Sequence, residues 1–240
     1  MRQTFRARPK SFLDAPRREW QFATFAWLLR NCGGYPKFLE SELVLPIPDH
    51  FPDSGMQGHA AVAALFRRVR DHAGMAEWPC QVEAAPPAPR DPAPAEGLRV
   101  IHYPADMREI TALISHFSHE LARYLVETFE EPPPGGDSLY EPAVDLATVF
   151  MGFGVFMANT SADSAHWDLN EGELAHALAM FCLLKKTDPE SIDQHLNPHL
   201  RKHLRLAARD LAPRTCDFQR LRSQFPVIRV EAEECAAPAQ

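Results

Sequence analysis

The chain lacks any close pair of cysteines. Its five, Cys32, Cys80, Cys182, Cys216 and Cys235, are far apart and odd in number. No C-x-x-C element is present to clamp a metal or exchange disulfides, so reduced thiols in a cytosol are expected. Long apolar runs are missing too: no uncharged stretch reaches the ~20 residues of a membrane span. The basic segment Met1 to Lys10 has no apolar stretch of the kind a signal peptide needs. A cytoplasmic protein that does not enter a membrane is the expectation. Positive charge is scarce as well, with a formal net charge of -7 and a pI near 5.9. A nucleic-acid partner is therefore not expected, because attraction to phosphate backbones needs clustered Lys and Arg. Neither a phosphate-cradling Gly-rich loop nor a nucleophile elbow occurs.

What remains is ordinary globular composition, 45% hydrophobic and 24% charged with a mean hydropathy of -0.29, which can bury a real core. At 240 residues the chain fits one domain with appendages. Proline punctuates it at Pro46 to Pro52, Pro86 to Pro94 and Pro132 to Pro134. The reading is an N-terminal mixed part over 1–82, a Pro/Ala-rich linker or flap over 83–97, a helical core over 98–212 and a C-terminal tail over 213–240. Helices are predicted around Glu19 to Asn31, His59 to His72, Met107 to Glu131, Tyr140 to Asn159, Glu171 to Lys186 and Ser191 to Leu211. Leu43 to Leu45 reads as a short extended piece, and Cys80 to Glu83 and Leu98 to His102 as an antiparallel pair of strands. The tail end, Glu231 to Gln240, is poor in packing residues. The fold class expected is α+β, mainly helical, with a small antiparallel sheet before the helix at 107 to 131.

That helix carries His116, His119, Glu120, Arg123 and Glu127 at spacings that place them together on the shoulder of its apolar face. Glu141 and Asp145 lie one turn apart on the next helix, which is otherwise apolar nearly all round and should be buried. Two carboxylates there are costly without partners, and Arg123 and His119 are the natural ones. Gly152 and Gly154 weaken the same helix, so their expected use is to let another backbone approach.

The segment His119-Glu120-Leu-Ala-Arg123 resembles the H-E-x-x-H helix of zincin metallopeptidases, and Glu141-x-x-x-Asp145 resembles the E-x-x-x-D of their gluzincin branch. Trp27 to Gly34, Leu43 to Pro46, Gly74 to Cys80 and Gly152 to Asn159 are also similar to segments of uncharacterised bacterial zincin-like proteins. The resemblance implies a zincin-like core with His119 and Glu141 as zinc ligands and Glu120 as the base that activates metal-bound water. Asp145 would steady a ligand histidine.

Arg123 stands where the second histidine of the motif belongs. A guanidinium has no free lone pair and stays protonated, so it cannot bind zinc. The first expectation is a degenerate zincin-like protein without zinc or peptidase activity, in which Arg123 pairs with Glu141. It would act as a binding or regulatory module for a protein or peptide through the groove beside its small sheet. The alternative is an active zinc-dependent hydrolase in which His116 substitutes as ligand beside His119 and Glu141. A third reading makes the stripe a solvated helix face. Glu173-x-x-His176 has a carboxylate-histidine spacing known from di-iron helices, but a single copy is common by chance. His195, His199 and His203 share a spacing that places them on one polar face.

Overall fold

The computed structural model describes residues 11–52, 57–85, 97–161 and 167–226. Helix α1 (Ala15–Asn31) starts where Asp14 accepts a hydrogen bond from Arg17 N at 2.8 Å and Pro16 occupies the first turn, both ordinary helix-starting chemistry. Short α2 (Gly34–Glu40) follows directly, then α3 (Gly58–His72). Strands β1 (Cys80–Ala84) and β2 (Arg99–Tyr103) precede α4 (Ile110–Glu127). The second half is helical: α5 (Tyr140–Thr148), α6 (Gly154–Thr160), α7 (Glu171–Lys185), α8 (Pro198–Leu211) and α9 (Thr215–Arg222). With 64% helix and one two-stranded sheet, the described chain is mainly helical with a small sheet.

The sheet is parallel, not antiparallel as the sequence led us to expect. Cys80 pairs with Arg99 and Ala84 with Tyr103 in the same direction. The strands are joined by residues 85 to 98, a connection long enough to permit a parallel pair, which a tight hairpin turn would not. Most of the expected linker, residues 86–96, lies outside the described residues, as does the tail beyond 226 with Cys235.

The apolar segment from α5 through α6 forms the centre. Asp137–Thr160 is long and apolar enough to cross a membrane, yet 89% of its most apolar window is buried inside the fold. Hydrophobic burial is a sufficient account of its composition. Phe25, Trp27 and Leu28 of α1, Phe117 and Leu121 of α4, and Leu178 and Phe181 of α7 are fully buried in the same core. The predicted single helix is broken by a π turn at Val149–Phe153, where Gly152 has φ 101°. Its carbonyl accepts from Val44 N at 3.0 Å, and a Cβ there would overlap the Glu42 carbonyl oxygen. The close backbone approach expected of Gly152 is therefore present. Gly154 instead makes room for the Leu178 and Val149 side chains. Further on, Pro198 cannot sit inside a helix, so it opens α8, and Pro189–His195 before it forms a separate 3-10 turn.

Candidate functional site

Helix α4 divides its polar stripe between the sheet and α5. His116 turns towards the sheet, its Nε2 2.7 Å from the His102 carbonyl oxygen, which makes that nitrogen a donor. Glu127 pairs with Arg99 of β2, whose guanidinium also lies 5.1 Å from the Tyr124 ring centroid. His119, Glu120 and Arg123 face α5. His116 is thus not assembled with His119 and Glu141.

Between α4 and α5 the side chains interlock. Arg123 donates through both terminal nitrogens to Glu141, Nη1 to Oε1 at 2.6 Å and Nη2 to Oε2 at 2.7 Å. This fork is the strong bidentate form of a charge-assisted bond. The Glu120 carboxylate lies 3.9 Å from both Arg123 Nε and His119 Nδ1. On its other side, His119 Nε2 stands 3.1 Å from Asp145 Oδ1. That oxygen has no hydrogen bond of good geometry, so the contact is an ion pair with an off-line N–H rather than a linear bond. Asp145 Oδ2 accepts from the backbone N–H groups of Asp168 and Leu169 at 2.8 and 2.9 Å.

Burial is graded from the inside outwards: the Asp145 side chain is 1% exposed, His119 8%, Arg123 24% and Glu141 46%. Trp167 covers His119 with ring centroids 4.8 Å apart, its indole nitrogen buried without a partner among the described residues. Nothing in the motif pattern points to Trp167 or to the 168–169 amides. The only sign in the sequence is a tryptophan in a polar stretch just ahead of Asn170, which caps α7.

Electrostatics follow this layout. Burial alone would lower the basicity of His119, but the Asp145 and Glu120 carboxylates outweigh it and raise its pKa above the ordinary histidine value. Glu120 is held below the usual carboxylate range mainly by His119, and Glu141 by Arg123. Asp168 is pushed up by burial and by the neighbouring Asp145 and Glu141 charges.

The residues do not fit a zinc ion. Both oxygens of Glu141 are engaged by Arg123. The two ring nitrogens of His119 face carboxylates, Nε2 toward Asp145 at 3.1 Å and Nδ1 toward Glu120 at 3.9 Å. Among the described residues no group of three His, Cys, Asp or Glu side chains is placed to hold a metal ion. The arrangement can instead hold α4 to α5 by alternating charge and present Glu141, Arg123 and Glu120 to solvent.

The other histidine patterns have separate explanations. Glu173 reaches back to Asn170 N in a capping box and pairs with Arg17, while His176 Nδ1 meets Gln21 Oε1 at 2.7 Å. His199 pairs with Glu171. His203 packs against Phe12. The class that fold and site define is a mainly helical domain with a two-stranded parallel sheet and a charge cluster between its central helices. Comparison with protein families, curated proteins and solved structures returned no match.

Proposed function

We propose that the protein is a degenerate zincin-like module, in which an arginine-carboxylate pair takes the place of zinc and which works by binding a protein or peptide in the cytoplasm. The observation that supports this most is the bidentate Arg123–Glu141 pair at 2.6 and 2.7 Å. The residue that breaks the motif is joined to the residue that would otherwise complete the ligand set. A cation fixed there by the chain itself opposes entry of a second cation. His119 and Asp145 keep the neighbourly relation that the resemblance implies, and in this reading the imidazole serves as the buried partner of Asp145 rather than as a metal ligand. Glu120 has no metal-bound water to activate and neutralises His119 and Arg123 instead.

The hydrolase reading would need His116 as a ligand. Its Nε2 already donates to the His102 carbonyl, and the ring serves to tie α4 to β2. Nothing in the geometry favours that reading.

Zinc titration of an Arg123→His variant tests the proposal. Removing the cation frees Glu141 and supplies the missing imidazole. The variant should bind zinc at one site per chain with at least tenfold higher affinity than the unmodified protein, and a further Glu141→Ala change should abolish the gain. Equal zinc affinity in the unmodified protein and the variant would contradict it.

A further inference from the structure

At the far end of α4 from the charge cluster lies a groove of about 1010 Å³ between α3, the carboxyl ends of both strands and the start of α4. The separation from Ile110 to Arg123 along the helix is roughly 20 Å, at ~1.5 Å per residue. Its apolar lining comes from Val62 and Leu65 of α3 and from Leu113 and Ile110 of α4, Ile110 being 60% exposed. Ala84 and Tyr103, the last residues of β1 and β2, also line it. The Tyr103 hydroxyl lies 3.1 Å from His59 Nδ1.

The charge on this groove has the opposite sign to that of the chain. Three arginines, Arg67, Arg68 and Arg108, line it against one carboxylate, Asp71, in a protein of net charge -7. Arg17, Arg99, Arg123 and Arg205 each pair with a carboxylate. Arg67, Arg68 and Arg108 form no ion pair among the described residues and are exposed. Cations left unpaired around an open apolar trough create a positive local potential that recruits anions and repels the protein's own acidic surface. The volume sits at the upper end for a small-molecule pocket and leaves room for a few residues of a peptide.

We infer that this groove is a docking site for an acidic peptide segment, whose apolar side chains seat between Val62, Leu65, Ile110 and Leu113 and whose Asp or Glu side chains meet Arg68 and Arg108. The inference deepens the binding-module reading by naming its surface and the chemistry of its partner.

The test is selection from a random dodecapeptide display library against the full chain. Anisotropy titrations of the labelled selected peptide would follow, with the unmodified protein, an Arg68→Glu/Arg108→Glu variant and a Glu141→Gln variant. Both arginines are exposed, so the reversal should leave the fold intact, which a urea unfolding curve checks. The selected peptides should be rich in Asp and Glu between apolar residues. The dissociation constant should rise at least tenfold in the double variant, rise with added salt, and stay unchanged in Glu141→Gln. Failure to select any peptide, absence of acidic bias, or equal binding by the double variant would overturn the inference. So would displacement of the peptide by single-stranded DNA of equal charge, which would make the groove a general polyanion site. Loss of binding in Glu141→Gln alone would move the partner to the charge cluster, overturning the groove but not the module. Tight zinc in the unmodified protein would overturn the metal-free reading and leave the groove result standing.

Discussion

Asp145 and Arg123 belong to one cluster, but their surroundings give them different weights. Asp145 is almost fully buried, with one oxygen on two backbone N–H groups and the other beside His119. Its replacement by alanine leaves those donors and a buried imidazole unanswered, a loss of roughly 3–5 kcal/mol. Arg123 faces a half-exposed Glu141, so Arg123→Met should cost about 1 kcal/mol or less, since solvent screens the pair. Urea unfolding of the two variants checks the contrast, and equal losses would contradict it. The histidines give opposite pH signatures. His119 has a raised pKa in the fold, so its contribution is complete below the unfolded histidine value and is lost as pH rises through the folded one. The stability difference between unmodified protein and His119→Gln should therefore shrink from neutral to alkaline pH. His176 is buried with one nitrogen lacking a partner, and desolvation lowers its pKa from 6.5 to about 4. Between those values the unfolded chain takes up the proton first. Stability should fall as pH drops through that window, by an amount on the order of 3 kcal/mol, and His176→Gln should flatten the fall.

Among the elements, the break at Val149–Phe153 carries the sharpest expectation. Gly152 adopts a positive φ and accepts a hydrogen bond from Val44, with the Glu42 carbonyl packed where a side chain would begin. Gly152→Ala is strained in its backbone and blocked in space. It should lower stability by about 3 kcal/mol or more, or prevent folding. A thermal unfolding midpoint within two or three degrees of the unmodified protein would contradict this reading. The glycine pair 152 and 154 was legible as a weakness in an apolar helix because its helix propensity is poor. The π turn was not, since it depends on which strand of backbone comes to lie against it. Helices α1, α3, α4 and α7 were legible because apolar spacing or a capping residue marks them. Short α2 begins directly at Gly34, behind two glycines with positive φ that leave no apolar period to mark it, and α9 lay in what reads as a tail. The direction of the two strands is not written in either strand, whose side-chain alternation is the same for both senses, and the long connection between them permits either.

On the scale of the whole molecule, one apolar axis, α5 to α6, is wrapped by α1, α4 and α7, and the two surfaces of interest sit at opposite ends of α4. The pairing of Arg123 with Glu141 was legible because helical periodicity fixes which residues share a face and a buried-side carboxylate needs a cation, whereas the contact of His119 with Asp145 was expected from the resemblance. The cover from Trp167 and the loop amides was not, because it arrives from a segment with no periodicity. The arginine-lined groove was foreseen only as a place beside the sheet, since its lining comes from α3, both strand ends and α4. Arg123 and Glu141 engage each other through both guanidinium nitrogens and both carboxylate oxygens. In the proposed degenerate module, elemental analysis of the untagged protein, purified without chelator, should find no stoichiometric zinc; about one zinc per chain, lost on Glu141→Ala, would overturn the proposal.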